Sequence, residues 1–262
     1  MTDFQYDNEF GSDYMLMPCL FDSNGGVETV DFGSQFSGEA ISIVGTDETV
    51  NVNNTYSSMT FPTFQACKID SSCNPLPISA EEFSKINRWL NRKESHKFKI
   101  KEESYENIYF LGRFNVQAIK INESIQGVSL TFQSDYPYGF VDEISINYKN
   151  CKEFMIYDHS DETGDIYPIT TIKCLEPGTL RIANSMDNEI LEINNCVANE
   201  VITIDNKHSV ITSTVGTHDL CNDFNYNYFK ICNTYNERRN NYSSTLNIDI
   251  TIKYSPVRKV GI

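Results

Sequence analysis

The chain has 262 residues, which is enough for one large domain or two of medium size. Its 21 Lys and Arg against 36 Asp and Glu give a net charge of −15. This charge argues against a nucleic-acid-binding protein and against docking on an anionic membrane, because both surfaces need clustered cations.

Hydrophobic residues make up 40% of the chain and aromatic residues 12%, which is too much for a disordered protein. No apolar run approaches ~18 residues, so we expect no membrane insertion. The acidic start, MTDFQYDNEF, lacks the basic and apolar pattern of a secretion signal. We therefore expect the eight cysteines to be reduced thiols, since nothing directs the chain to an oxidising compartment.

The first 60 residues predict short strands and loose segments. Residues 1–40 are polar and acidic, with one apolar group around Tyr14, so we expect one short strand there and a loose remainder. Alternation of apolar and polar residues then predicts strands at 40–44, 49–52 and 58–61.

A helix is predicted over residues 79–96. Ser79 and Glu82 have the spacing of a capping box, in which each side chain bonds the backbone amide of the other residue. Apolar residues from Phe83 to Leu90 recur at helical spacing.

After the helix the pattern is β. A cluster of turn-forming residues at 135–139 places a domain boundary near residue 142. Strand candidates then recur about every ten residues over 143–262, without a helical stretch, which is typical of an antiparallel sandwich or jelly roll. The sequence thus predicts a mainly β protein, with an α+β first domain (1–142) and a β-sandwich (143–262).

No pattern of catalytic residues, cofactor motif or metal-ligand spacing is present, so we expect no enzyme activity, no cofactor and no metal. The acidic stretch 158–165 has residues that bind calcium, but its spacing is not that of an EF-hand and favours a solvated turn. Glu102 and Glu103 are neighbours on a strand and point to opposite faces, which favours a surface position over a glycosidase pair. Trp89, on the apolar face of the helix, favours a core role.

The segment 222–242 is dense in Asn and Tyr. Aromatic rings with amide groups suit sugar binding, whereas a long loop on a β-sandwich has the same composition. A carbohydrate-binding β-sandwich module therefore stays open as an alternative function.

Three stretches together resemble a known family. They are ISAEEFSKINRWLNRK, YENIYFLGRFNVQAIKI and GVSLTFQSDYPYGF, between residues 78 and 140. This order is similar to the N-terminal domain of distal tail proteins (Dit) of long-tailed, siphovirus-type bacteriophages. The stretches GTLRIANSMDNEILEI and NEVITIDNKHSVITS resemble the family's galectin-like sandwich, and the end ITIKYSPVRKVGI resembles its closing segment. The resemblance covers about residues 14–262, and the first ~15 residues lie outside it.

The resemblance implies a structural protein of the phage tail tip, or baseplate, that is assembled in the host cytoplasm. It implies a homohexameric ring whose first domains close the ring and whose lumen passes DNA. Its expected neighbours are the tail tube protein, the tail hub or tail-associated lysin, and receptor-binding proteins. Segment 45–60 lies where the family has a hairpin arm around the next subunit, so we expect these residues at a subunit interface: Thr49, Val50, Asn51, Val52, Asn53 and Tyr56.

Overall fold

The computed structural model describes residues 3–19, 36–43, 49–56, 58–59, 61–72 and 74–259. These residues form two compact units. One runs to Val141 and includes the chain from Arg258 onward, and the other spans Asp142–Val257. Each unit encloses its own hydrophobic core, and the predicted mainly β fold is confirmed.

The first unit is built from short antiparallel strands and one long helix. In chain order its elements are β1 (Asp3–Tyr6), β2 (Glu9–Phe10), β3 (Leu16–Cys19), β4 (Phe36–Ser42), β5 (Thr49–Tyr56), β6 (Phe64–Ile69), β7 (Pro75–Leu76), α1 (Ala80–Leu90), β8 (His96–Lys101), β9 (Ile108–Ile121), β10 (Ser124–Ser134) and β11 (Gly139–Val141), with 3-10 turns at Gly11–Tyr14 and Glu103–Tyr105.

The main sheet of this unit has the strand order β2-β1-β8-β9-β10-β6-β3. One face of the sheet carries a cluster of aromatic rings, and Ile86, Trp89 and Leu90 of α1 are buried in the same core. The predicted core role of Trp89 is confirmed. No strand covers the described residues of the predicted 58–61 strand, where Met59 and Phe61 instead enter the core as irregular chain.

Residues 3–19 form three short strands and a 3-10 turn, which corrects the expectation of one short strand and a loose remainder for this part of residues 1–40. Residues 20–35, on which the same expectation falls, lie outside the described residues. β1 pairs antiparallel with β8 and places Phe4 and Tyr6, both fully buried, in the core. The sequence prediction was wrong here because the acidic residues Asp3, Asp7 and Glu9 make the segment polar on average. The aromatic residues between them form a strand pattern that is too short to stand out against this polarity.

Helix α1 begins as predicted and ends earlier. Ser79 caps it, and Glu82 completes the capping box. The helix ends at Leu90 instead of 96, because Asn91 leaves the helical conformation and His96 already pairs with Gly112 as the first residue of β8. The strand pairing therefore takes residues that the charge pattern assigned to the helix end.

The second unit is a β structure. Its elements are β12 (Ile144–Tyr157), β13 (Gly164–Ile166), β14 (Ile169–Cys174), β15 (Gly178–Asn184), β16 (Ile190–Cys196), β17 (Val201–Asp205), β18 (Val210–Ser213), α2 (Leu220–Asp223), β19 (Ile231–Asn233) and β20 (Arg239–Tyr254), and the chain then continues into β21 (Val257–Arg258).

The long strand β20 is the central strand of this unit. It pairs with β12 along one side and with β14 and β15 along the other, within the order β16-β15-β20-β14-β17-β18. Alternate residues of β20, among them Ile248, Ile250 and Ile252, are fully buried. The predicted strands are largely confirmed, but the one-turn helix α2 was not expected. Its four residues are too few for a helical period to be recognised in the sequence.

Candidate functional site

The predicted interface segment folds into a separate hairpin, here called the arm (residues 36–43 and 49–56). Strands β4 and β5 pair antiparallel with each other, with Ile41 opposite Val50 and Glu39 opposite Val52. In the part of the chain that the structure describes, no other strand pairs with either of them. The arm is thus a two-stranded ribbon outside the main sheet.

One face of the arm is apolar and exposed. Directly opposed residues of an antiparallel pair share a face, as do residues two apart, so Ile41, Ile43, Val50 and Val52 lie together. Glu39, opposite Val52, adds a charged side chain at one end of this face. The exposed fractions are 54% for Ile41, 43% for Ile43 and 46% for Val50. An isolated hairpin is marginally stable in water, and contiguous exposed apolar residues mark interaction sites. The arm therefore has the surface of an element that needs a partner.

All six residues expected at an interface belong to β5. Thr49 and Val50 are exposed and Val52 is half-buried. Sequence reasoning missed Ile41 and Ile43 as members of this surface, although it predicted a strand there. The alternation of apolar and polar residues indicates that Ile41 and Ile43 lie on one face of their strand. Only the pairing of β4 with β5 shows that Val50 lies on the same face.

The acidic stretch 158–165 is not a fully solvated turn, which corrects the prediction. Asp158 is 0% exposed, and its carboxylate accepts hydrogen bonds from Ser160 Oγ (3.0 Å) and Asn233 Nδ2 (2.5 Å). The carboxylate thus ties the end of β12 to β19. Among the described residues, no group of three or more His, Cys, Asp or Glu side chains is placed to hold a metal ion.

Glu102 and Glu103 are exposed, as predicted. Together with Phe10, Lys99 and Lys101 they line an open cleft of about 690 Å³ on the first unit. The two carboxylates are chain neighbours at the start of a 3-10 turn and do not face each other across the cleft from separate elements, which is the arrangement that glycosidase chemistry needs.

The Asn- and Tyr-rich segment uses most of its polar groups within the chain. Asn225 Nδ2 donates to the carbonyl of Ile190 at 2.8 Å, and Tyr228 OH donates to the carbonyl of Ser209 at 3.1 Å. The aromatic ring of Tyr235 is exposed. These amides and hydroxyls position the loops, which is the non-sugar interpretation of the same composition.

A buried ion pair lies beside this segment. His218 Nδ1 is 2.5 Å from Glu200 Oε1, and both side chains are almost completely buried. His218 Nε2 is 2.9 Å from the carbonyl of Asn194 and 3.4 Å from Asp223 Oδ2. Burial lowers the pKa of His218, but the hydrogen bond and charge of Glu200 outweigh burial and raise the pKa above its ordinary value. Through these contacts the His218 ring connects Asp223 of α2 with Asn194 of β16.

No helix in the described ranges is long and apolar enough to cross a membrane.

Comparison with known proteins gives matches over both units. A family model described as phage tail protein N-terminal domain matches residues 1–136, and one described as phage tail C-terminal domain matches residues 136–254. No curated protein matches.

Among solved structures, the chain is similar to the Dit protein (gp 19.1) of phage SPP1, described as a paradigm of the hub adsorption apparatus in phages that infect Gram-positive bacteria. The identity is 11%, the TM-score is 0.69, and the match covers 97% of this chain and 98% of that one. At this identity the likeness establishes the fold, and the Dit-like fold expected from the sequence is confirmed. Since the two family models together cover residues 1–254, this chain belongs to the family of phage tail proteins.

Proposed function

We propose that this tail protein is a distal tail protein, six copies of which form a closed ring at the tip of the phage tail. The ring joins the tail tube to the hub or tail-associated lysin, and receptor-binding proteins attach at its periphery. The match to the SPP1 protein, described as part of a hub adsorption apparatus, supports this role. The role is structural and requires no catalytic group or cofactor.

The arm is the observation that carries the ring proposal. It exposes Ile41, Ile43 and Val50 and pairs with no other strand of the described chain. A hairpin of this kind gains stability when a second subunit covers its apolar face. Closed cyclic symmetry lets each copy give one arm and receive one, so no arm is left over and growth stops.

The charge of the chain is consistent with this role. Six copies carry a net charge of −90, six times the −15 of one chain. DNA passes through a channel more easily when the channel wall does not bind its phosphates. A negatively charged protein repels the negatively charged phosphates. Assembly in the host cytoplasm also fits the seven described cysteines, all of which are free thiols.

The test replaces Ile41 and Val50 of the arm by Lys in the full-length chain. These side chains are exposed in the single subunit, so the fold and its thermal midpoint should stay unchanged while ring formation is lost. Tyr235→Lys, at a residue of the second unit that is 88% exposed, is the control for an added charge. Light scattering and negative-stain imaging, alone and with tube and hub proteins, give the readout. If the double variant forms rings like the parent, the arm is not the subunit interface.

The arm must be altered within residues 36–56. Met59, a few residues further on, is 1% exposed and its amide bonds the carbonyl of Tyr136 at 3.3 Å. A deletion reaching Met59 removes a core residue, and the loss of rings after such a deletion reports unfolding as readily as a missing interface.

A further inference from the structure

We propose that the arm of a neighbouring copy adds to the free edge of β9, so that the sheet of one subunit continues into the hairpin of the next. This inference rests on the proposed ring. It names the receiving surface, residues 114–121 of β9, and its occupant, strand β5 of a second copy of this chain.

The receiving edge follows from the pairing of β9. Strand β8 pairs with β9 only over Tyr109–Gly112. Beyond Gly112, β9 continues to Ile121 with β10 on one side, and no strand of the described residues lies along the other side. An unpaired strand edge is a ready template for another strand.

The backbone groups at this edge can be assigned from the turn. Asn122 and Glu123 both have positive φ, 48° and 66°, which is the two-residue turn that makes Ile121 and Ser124 a hydrogen-bonded pair. Hydrogen-bonded and non-hydrogen-bonded positions then alternate along β9. The amides and carbonyls of Val116, Ala118 and Lys120 therefore point away from β10, toward the free edge.

The edge has few of the features that block strand addition. Residues 113–121 contain no Pro, and the irregularity in this hairpin lies on β10, between Ile125 and Gly127. By contrast, the terminal strand β3 contains Pro18, which lacks an amide and blunts that edge. Among these two edges, β9 is the one that accepts a partner strand.

The arm matches this edge in length and in polarity. β5 has eight residues, as long as the stretch 114–121, and contains neither Gly nor Pro. On the core side of β9, Phe114 is buried and Val116 and Ala118 are half-buried. When β5 lies beside them with its apolar face on the same side, Val50 and Val52 extend this apolar row. A slip of one residue would turn that face to water, so only registers that keep Val50 and Val52 on the core side are allowed.

A second copy, rather than the chain's own arm, is the occupant. In the single subunit the arm pairs only with itself among the described strands, although β9 belongs to the same chain. One donor arm and one acceptor edge per copy give a head-to-tail contact, which closes into a ring when the rotation permits.

The decisive comparison is Ala118→Pro against Ala118→Val in the full-length chain. Proline removes the amide that faces the free edge, whereas valine keeps the amide and changes only the side chain. Both variants should melt like the parent as single subunits. We expect Ala118→Pro to weaken each subunit contact about tenfold or more, measured by light scattering against concentration. Ala118→Val keeps the amide, so we expect it to weaken the contact far less than Ala118→Pro does.

Cross-linking covers the case in which Ala118→Pro fails to fold. Val50→Cys with Lys120→Cys places both thiols on the core side of the joined sheet, and Val50→Cys with Gln117→Cys places them on opposite faces. Oxidation should give a ladder of covalent oligomers with the first pair, above the background of the parent, and none with the second.

The outcomes separate this inference from the ring itself. If Ala118→Pro assembles like the parent, or if both cysteine pairs cross-link equally, the docking edge is wrong and the ring stands. Cross-links within single chains show that the arm binds its own β9, which also overturns the inference. If the parent chain never forms rings, even with tube and hub proteins, the proposed function fails first.

Discussion

The indole Nε1 of Trp89 donates a hydrogen bond of 3.0 Å to the backbone carbonyl of Tyr6. The Trp89 ring is 3% exposed and stacks on Tyr14, with 4.4 Å between ring centroids, and on Phe4, with 5.8 Å. One side chain of α1 therefore helps to hold β1 in the core, in addition to the pairing of β1 with β8.

Replacement of Trp89 by Phe should lower the free energy of unfolding by about 1–3 kcal/mol, because the carbonyl of Tyr6 loses its buried donor. Urea denaturation measures the loss, and hydrogen exchange should show faster opening of β1. Tyr235→Phe is the control, since Tyr235 is 88% exposed and its change should stay within about 0.5 kcal/mol. An unchanged denaturation midpoint for Trp89→Phe contradicts the anchoring role.

Ser79→Ala should cost about 1 kcal/mol of stability. The Ser79 hydroxyl accepts the amide of Glu82 at 3.3 Å, and this amide has no other partner in the first turn of the helix. Chemical denaturation measures the effect. Ser12→Ala, a change at a serine outside α1, should leave the helix signal in circular dichroism unchanged.

Glu82 should make the protein acid-sensitive over a defined range. Hydrogen bonds from the Lys68 ammonium and from the amide and hydroxyl of Ser79 lower the pKa of Glu82 from 4.5 to about 2. A lowered pKa gives stability that is present above the unfolded value of 4.5 and lost as the pH falls toward about 2. The parent should therefore lose more stability than Glu82→Gln over this range. If the free energy of unfolding falls equally with pH in both proteins, Glu82 is not the source of the acid sensitivity.

His218 should act in the opposite direction. Its pKa is raised above 6.5, so the stability from the charged ring is complete below pH 6.5 and is lost as the pH rises through the raised value. A neutral ring donates from one nitrogen only, so it keeps its hydrogen bond to either Glu200 or the carbonyl of Asn194 and loses the other. The free energy of unfolding of the parent should fall with rising pH relative to His218→Gln. NMR titration of the ring that gives a pKa at or below 6.5 would show that the pair does not hold the proton.

The thiols should differ strongly in reactivity. Cys221 is exposed in the short helix α2, whereas Cys174 and Cys196 are 0% and 2% exposed in the core of the second unit. A thiol reagent should modify Cys221 first, and Cys221→Ser should remove this fast phase. Cys174 and Cys196 should react only on unfolding. Modification of either at the rate of Cys221 in folded protein would mean that the core opens readily.

Sequence patterns predicted correctly the helix start and the strands that depend on residues close together in the chain. The capping box located Ser79 at the start of α1, and alternation predicted most strands of the second unit, because both signals depend on residues close in the chain. The predicted helix end at residue 96 was wrong, because His96 pairs with Gly112 in the sheet. This tertiary contact stabilises the strand more than the interaction of basic side chains with the helix terminus stabilises the helix.

The candidate site was predictable in part for the same reason. The family resemblance and the polar β pattern pointed to β5, but the apolar face of the arm joins Ile41 to Val50 across two strands. Their pairing depends on strand register, which the residues of one strand do not determine. The burial of Asp158 likewise depends on Asn233, far along the chain.

The mass of the assembled protein in solution shows whether six copies form a closed ring. Full-length chain should be measured by light scattering at high concentration, with tube and hub proteins added in parallel. We expect a particle of 180 kDa, six times the 30.0 kDa of one chain, closed and ring-shaped in negative stain. A mass that stays at 30.0 kDa under all these conditions, or open-ended growth without a fixed size, would contradict it.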